Sequence, residues 1–422
     1  MQHKPTITIF ILFFSITLTS YGQKLVNSPY SRFNIGTLAP VGSFRNLGMG
    51  GVGTAFRDNN SIQYSNPASY SSLDTNSFNF DFGIDYSKSV LSEGMSHYSS
   101  QDMNFDHLLM GFPLAKGWGV GVGVIPVSSG YYNVAELVST GNTVIGNYES
   151  DHSGSGGFSN FFLGSGIKIT KNFSAGVNMN VLFGQVNRIN QFIFDDPNVF
   201  YNNSTERLKM TGVNFNYGVQ YNAIIKKDYF FNAGVSLNAN KYYNSKYEKL
   251  TYKFTAYNTR DTLTYISNDS SSAFIPGTLR FGISAGKKNK FTTGIDYVIT
   301  NWSKSKISGA TGSVADTRTL LFGAEFIPDK FSNFSLLKRI EYRIGGHIGN
   351  NYLVIDGEQV KEYGASCGIG LPLRRSLSTV NLFFDYTKKT GPTGSILPIE
   401  DYYNIGISLN IYDFWFIKRK YE

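Results

Sequence analysis

Residues 78–86 read FNFDFGIDY, and this stretch decides the fold. Aromatic or aliphatic side chains occupy every second position from Phe78 to Tyr86, and the positions between them are polar or glycine. Strict alternation predicts a β-strand with one apolar and one polar face. In a soluble sandwich the apolar face would point inward, whereas in a membrane barrel it would point to lipid. The length, number and connections of the strands decide between the two.

The same alternation recurs along the chain in segments that are longer than the ~5–6 residues usual in soluble strands and long enough for the ~9–11 that cross an outer membrane. We predict fourteen strands, at 77–88, 104–115, 117–128, 157–170, 172–186, 208–225, 228–241, 275–287, 290–302, 316–328, 338–350, 359–371, 378–388 and 401–413. Short turns follow most even-numbered strands, and long polar segments such as 129–156, 187–207 and 242–274 follow odd-numbered ones. This sorting indicates an all-β, 14-stranded antiparallel transmembrane barrel with periplasmic termini and extracellular long loops.

The remaining parts of the chain are assigned from their composition. Residues 1–22 have a basic start, an apolar centre and small residues before Gln23, which predicts a signal peptide cleaved at that point. We divide the rest into an N-terminal hatch or plug at 23–76, the barrel at 77–413 and a basic C-terminal tail at 414–422. A fourteen-stranded barrel is too wide to be filled by its own side chains, so a segment of this length can fold back into it.

Composition and motifs exclude several functions. Charged residues are 16% of the chain, and the net charge of +8 is not organised into a basic, aromatic-interleaved block, so nucleic acid is not an expected partner. Residues 48–53 match the dinucleotide fingerprint G-x-G-x-x-G, but no preceding strand or following crossover helix supports it. The five histidines and Cys367 lack metal-ligand spacing, and no nucleophile motif occurs. We expect no enzyme, no metal and no cofactor.

A family resemblance rests on the N-terminal segment and the third strand. Gly48-Met49-Gly50-Gly51, then Asp58 and Asn66-Pro67-Ala68, resemble the hatch of FadL-family outer-membrane channels, and residues 117–126 resemble that family's third strand. The resemblance implies fourteen strands, an N-terminal plug and an inward kink of the third strand that opens a lateral passage to the membrane. The two ends of the mature chain, at 27–33 and 413–420, look like those of FadL-related barrels of Bacteroidota, which include accessory proteins of type IX secretion.

The leading interpretation is therefore a channel for passive uptake of hydrophobic, long-chain fatty acid-like molecules, with lateral exit near the third strand. Proline removes a ladder donor and glycine leaves a strand face without side chains. The same glycines are equally well explained as room for a packed plug. The residues assigned to substrate binding or gating are Asn66, Pro67, Ala68, Gly119, Gly121, Gly123 and Pro126.

The alternative interpretation is a non-transporting FadL-like barrel that serves as a subunit of an outer-membrane secretion or assembly complex. The expected partners are outer-membrane lipid, a hydrophobic small molecule and, in this alternative, other outer-membrane proteins. The lumen discriminates between the two functions. A continuous apolar pocket between hatch and wall favours transport, and charge pairs that fill the space favour a scaffold. Ionisable positions predicted to face the lumen, among them Asp296, Glu325, Glu341 and Arg343, are read as structural pairs or plug contacts.

Overall fold

The computed structural model describes residues 28–414, except 94–95, 141–145, 197, 227, 256–259, 375 and 392–398. The predicted signal peptide and the C-terminal tail beyond residue 414 lie outside the described residues. The described strands are β1 Thr37–Leu38, β2 Ser77–Glu93, β3 Ser96–Ala115, β4 Trp118–Ser129, β5 Tyr132–Ser139, β6 Asn147–Lys168, β7 Phe173–Phe194, β8 Tyr201–Lys226, β9 Tyr229–Asn238, β10 Lys241–Phe254, β11 Arg260–Ile275, β12 Thr278–Lys287, β13 Phe291–Thr300, β14 Ser313–Val314, β15 Thr317–Phe326, β16 Glu341–Ile355, β17 Glu358–Pro372, β18 Thr379–Thr390 and β19 Ile399–Phe414. The short helices are Pro29–Arg32, Phe44–Leu47, Pro67–Ser72, Trp302–Lys304 and Leu336–Arg339.

The strands form one closed antiparallel barrel. Successive wall strands pair along the chain, and β19 pairs with β2 from Ile399↔Ser92 to Phe414↔Ser77, which closes the sheet. Three pairs of segments, β4 with β5, β9 with β10 and β11 with β12, each continue as one wall strand, and the two residues of β14 precede β15. The wall therefore has the fourteen strands that the sequence predicts.

The wall alternates as the sequence pattern requires. Side chains at every second position, such as Phe173, Tyr217 and Ile405, are exposed on the outer face. Their neighbours Ser174, Asn216 and Asn404 point toward the lumen, where Ser174 is buried. The predicted apolar outer face is confirmed. No helix among the described residues is long and apolar enough to cross a membrane.

The structure corrects the expected long loops. Stretches 129–156, 187–207 and 242–274 are mostly strand, and they form hairpins that continue the ladder beyond the apolar part of the wall. In β10 and β11, for example, pairing runs from Lys241↔Ile275 to Phe254↔Arg260. A strand above the membrane has no lipid face, so its apolar alternation fades although its hydrogen bonds continue. The alternation of apolar residues therefore stops at the edge of the lipid, although the sheet continues beyond it.

The N-terminal segment, defined here as residues 28–76, lies inside the barrel. It is irregular and almost entirely buried, with only short helical turns. Glycines of the wall lie beneath it on opposite sides: an added Cβ at Gly234 would meet the Thr54 carbonyl at 2.3 Å, and one at Gly345 would meet the Met49 carbonyl carbon at 2.1 Å. The many glycines of the inner face therefore let the backbone of the segment approach the wall directly.

Candidate functional site

The glycine row of β4 faces a tyrosine of the N-terminal segment. An added Cβ would lie 2.1 Å from the Tyr70 carbonyl oxygen at Gly119, and 2.8 Å from the Tyr70 ring at Gly121. At Gly123 it would meet the Leu108 carbonyl at 2.5 Å and the Phe162 ring at 2.8 Å. The sequence leaves two explanations for these glycines, a lateral passage or room for a packed segment. The contacts favour room for the segment.

Above these glycines the wall changes its pairing. The pairing between β3 and β4 runs from Ala115↔Trp118 to Leu108↔Val124, and no further residues of the two strands pair among the described residues. The edge of β4 instead pairs with β1, through Thr37↔Ser129 and Leu38↔Ser128. We call this place the seam: the edge of β3 before Leu108, facing the edge of β4 after Val124.

Pro126 lies at the seam. It remains in register with Ser159 of β6, and the ladder is irregular between Pro126 and Ser128. Ala39 donates its backbone N–H to the Val127 carbonyl at 2.9 Å, so the N-terminal segment takes a place that a wall strand would otherwise fill. A proline is tolerated here because the missing donor falls at an irregular part of the ladder.

The Asn66-Pro67-Ala68 turn is a buried corner of the segment. Asn66 is completely buried, and its side-chain oxygen accepts a hydrogen bond from the Ala68 N–H at 3.1 Å, which caps the turn Pro67–Ser72. Its amide nitrogen donates to the Thr54 carbonyl at 2.8 Å. An added Cβ at Gly218 of β8 would lie 2.0 Å from the Asn66 oxygen. The turn therefore packs on β8 with Asn66 and on Gly119 and Gly121 of β4 with Tyr70, so the structure brings the turn and these two glycines together, whereas Pro126 lies at the seam.

A buried ion-pair cluster joins the segment to the opposite wall. Arg45 contacts Asp58 at 2.9 Å within the segment and Glu325 of β15 at 2.9 Å. Arg343 of β16 contacts Glu325 at 2.8 Å and also pairs with Glu341. Burial opposes the charged form of Arg45, but the carboxylates of Asp58 and Glu325 raise the pKa of its guanidinium well above the ordinary value. Two arginines and three carboxylates thus form one network of ion pairs in the lumen.

Further polar contacts fix the segment to the wall. The Asp296 carboxylate accepts from the backbone N–H groups of Gly53 at 2.9 Å and Thr54 at 2.8 Å. Arg57 donates to Ser174 and Gln220 of the wall, both at 3.0 Å. Burial lowers the pKa of Arg57 to about 10, which still leaves it charged at neutral pH.

Sequence reasoning identified Asp296, Glu325 and Arg343 of the wall and Asp58 of the segment, and it missed the cations of the segment. Arg45, Arg57 and Tyr70 were not singled out, although cations in a glycine-rich segment opposite a wall with acidic lumen positions are the signal that could have found them. Among the described residues no group of His, Cys, Asp or Glu could hold a metal ion.

Two cavities among the described residues lie at separate places in the barrel. One, of about 480 Å³, lies on the outer, lipid-facing surface over Ala233 and is lined by Tyr221, Val235 and Ile283. The other, of about 250 Å³, lies at the long-loop end between the segment and strands β5, β7 and β8.

Comparison with known proteins agrees with this architecture. The family model described as BamG matches residues 1–422. Solved structures with the same fold include the CymD monoaromatic hydrocarbon channel, at 15% identity, with 90% of this chain and 98% of that chain covered and a TM-score of 0.55. A Pseudomonas aeruginosa FadL homologue matches at 12% identity, with 90% and 99% covered and a TM-score of 0.56. The Ralstonia pickettii toluene transporter TbuX matches at 12% identity, with 90% and 99% covered and a TM-score of 0.53.

No curated protein matches the chain. The closed barrel with its apolar outer face is an outer-membrane architecture. At these identities the solved structures show the fold alone, which is FadL-like, whereas the family model covers the whole sequence. The chain is an outer-membrane barrel of FadL-like fold and belongs to the BamG family.

Proposed function

We propose that the protein is a plugged, non-enzymatic barrel that acts as a subunit of an outer-membrane secretion or assembly complex. The observation that carries this proposal is the filled lumen. Ion pairs of Arg45 and Arg343 and the hydrogen bonds of Asp296 occupy the space where a transporter needs a continuous apolar pocket. Buried charges that satisfy one another favour a fixed arrangement over one that opens for each passing molecule.

A protruding hairpin supplies a surface for partners. Strand β10 pairs with β11 on one side and with β8 on the other, well beyond the apolar part of the wall. The hairpin exposes large apolar side chains: Tyr265 is 66% exposed and Leu263 is 52% exposed. Exposed aromatic and aliphatic groups on a rigid sheet are the kind of residues that protein interfaces bury.

The test is purification of the tagged protein from native outer membranes in mild detergent. The proposal expects other outer-membrane proteins to co-purify in fixed ratio, and the double change Leu263→Ser and Tyr265→Ser to reduce their yield at least tenfold. The matched control is Leu137→Ser, which changes an exposed leucine on the β5 extension. Purification of a solitary barrel, from both wild type and variants, contradicts the proposal.

A second candidate is a channel for hydrophobic small molecules with lateral exit, and the seam is the specific observation in its favour. CymD and TbuX are described as a hydrocarbon channel and a toluene transporter, and this chain shares their fold. In this candidate, the seam beyond the Leu108↔Val124 pair is the exit, and β1 with the Asn66-Pro67-Ala68 turn forms the gate.

Uptake measurements separate the two candidates. The channel candidate expects Pro126→Ala and Asn66→Ala to reduce cellular uptake of a hydrophobic probe such as toluene at least threefold, while heat-modifiable barrels still reach the outer membrane. Unchanged uptake together with loss of co-purifying proteins supports the complex subunit and rejects the channel.

A further inference from the structure

A row of residues in direct register crosses five strands at the end of the barrel where the hairpins extend beyond the apolar part of the wall. Tyr132 of β5 lies opposite Gly154 of β6, Gly154 lies opposite Arg188 of β7, Arg188 lies opposite Glu206 of β8, and Glu206 lies opposite Lys249 of β10. Neighbouring strands are ~4.8 Å apart, so Tyr132 and Arg188 are separated by about two strand spacings. This row forms one side of the cavity of about 250 Å³.

Glycine at position 154 lets the tyrosine reach toward the arginine. An added Cβ at Gly154 would lie 2.1 Å from a ring carbon of Tyr132, so the ring lies across the glycine. Tyr132 is only 3% exposed, and its hydroxyl is buried and has no hydrogen-bond partner among the described residues. A buried hydroxyl without a partner costs free energy unless something in the cavity accepts or donates to it.

Arg188 is a buried cation without a carboxylate. It is 3% exposed; one terminal nitrogen donates to the Asn34 carbonyl, and its Nε is buried without a partner among the described residues. Glu206, directly opposite, is committed to Lys249, with 2.8 Å between Oε1 and Nζ. No ion pair of Arg188 is found within the described part of the chain. Buried charges are normally paired, so this arrangement lacks an anion.

The cavity has the lining that a small anion needs. Arg32, which is exposed, adds a second cation, and Phe33 adds an aromatic surface. Thr311 contributes a hydroxyl, and Glu206 is the acidic group of the lining, already neutralised by Lys249. The unpartnered donors are the Arg188 Nε and the Tyr132 hydroxyl, and a carboxylate oxygen is the kind of acceptor that satisfies each of them.

We infer that this cavity, the Arg188 pocket, binds a small organic carboxylate. One carboxylate oxygen accepts from the Arg188 Nε, the other accepts from the Tyr132 hydroxyl, and the organic body packs on Phe33 near the mouth that Arg32 occupies. The lining of the site includes no residue of the Arg45 cluster or of the β1–β4 pairing, and the site depends on neither of the functions proposed above.

Titration calorimetry on the full-length protein in detergent tests the site, with benzoate as the probe and inorganic phosphate as the comparison. We expect one saturable benzoate site per chain, weakened at least tenfold by Arg188→Gln and at least threefold by Tyr132→Phe, since hydrogen bonds to charged groups are the stronger class. Tyr132→Phe removes a hydroxyl that has no partner, so it leaves the fold intact and keeps the test valid if Arg188→Gln disturbs the Asn34 contact.

Arg207→Gln is the matched control, because it removes the same charge from the adjacent residue of β8. Arg207 is 54% exposed and lies 3.5 Å from Glu248 outside the cavity. Benzoate binding must be unchanged in this variant. The inference is overturned by absence of saturable benzoate binding, by equal binding in wild type and Tyr132→Phe, or by a preference for phosphate over benzoate.

Discussion

Arg45 attaches the N-terminal segment to the wall through a buried ion pair. Its guanidinium donates to both oxygens of Glu325 and also contacts Asp58, and its side chain is 15% exposed. Removing one partner of a buried pair leaves an uncompensated charge, which typically costs ~3–5 kcal/mol. In Arg45→Met, Asp58 therefore loses its ion-pair partner, whereas Glu325 still pairs with Arg343.

We expect Arg45→Met to loosen the segment without unfolding the barrel. Planar-bilayer recordings should show new or larger conductance steps, and limited proteolysis should cut within residues 28–76 at least tenfold faster. Arg207→Met, which breaks an exposed pair with Glu248, should change neither measurement. Conductance and cleavage identical to those of the wild type would mean that the ion pairs do not hold the segment.

Asn66 allows its two roles to be separated by substitution. Asn66→Asp keeps the side-chain oxygen that caps Ala68 and loses the donor to the Thr54 carbonyl, whereas Asn66→Ala loses both. Loss of an N-terminal cap costs ~0.5–2 kcal/mol, and an orphaned buried carbonyl adds a similar amount. Hydrogen exchange of residues 54–72 should therefore rise in both variants. A rise in Asn66→Asp equal to that in Asn66→Ala would show that the cap contributes nothing.

At the scale of elements, β1 is the strand that covers the seam. It has only two residues, and the neighbouring Ala39 N–H extends its contact with β4. Ala39→Pro removes that donor and leaves the Val127 carbonyl without its partner, at a cost of ~1–3 kcal/mol. We expect faster hydrogen exchange in residues 36–42 and 125–130, with the β6–β7 ladder unaffected. Ala39→Ser keeps the N–H and should exchange like the wild type; fast exchange in both would assign the effect to side-chain packing.

The wall strands show which elements a sequence can predict. The parts of the strands with an apolar outer face were predicted closely, as at β12, β13 and β15, because lipid on one side imposes strict alternation. The hairpins beyond the apolar part of the wall were missed, because water on their outer side removes the need for alternating apolar residues. The pairing of β1 with β4 at the seam could not be predicted, because it joins parts of the chain about 90 residues apart. The lateral passage that the family resemblance implies at the third strand stays a prediction.

In the candidate site, the wall residues could be predicted from the sequence and their partners in the N-terminal segment could not. Asp296, Glu325 and Arg343 were placed in the lumen correctly, because strand parity fixes the face on which a residue lies. Their partners in the N-terminal segment could not be predicted, because the segment has no repeating structure. The Arg45–Glu325 pair joins residues 280 apart, and its geometry exists only when the whole barrel is closed around an irregular chain.

At the scale of the whole molecule, the segment and the wall form one buried interior. Deletion of residues 28–76, with residues 1–27 retained, should give an inserted barrel with a large, steady conductance, because a fourteen-stranded wall is too wide to fill itself. Heat-modifiability on gels is the control for folding. An inserted deletion variant that conducts no better than the wild type would show that the segment does not block the lumen.

The pairing of β19 with β2 has a consequence for how the molecule is made. Phe414 pairs with Ser77, the residue that directly follows the N-terminal segment, so the first and last wall strands meet only when the entire chain is available. The wall contacts the segment backbone too closely, at Gly234 and Gly345, for it to be threaded into a finished cylinder. The sheet must therefore curl around the segment while still open, and biogenesis ends with the segment enclosed as the last ladder forms.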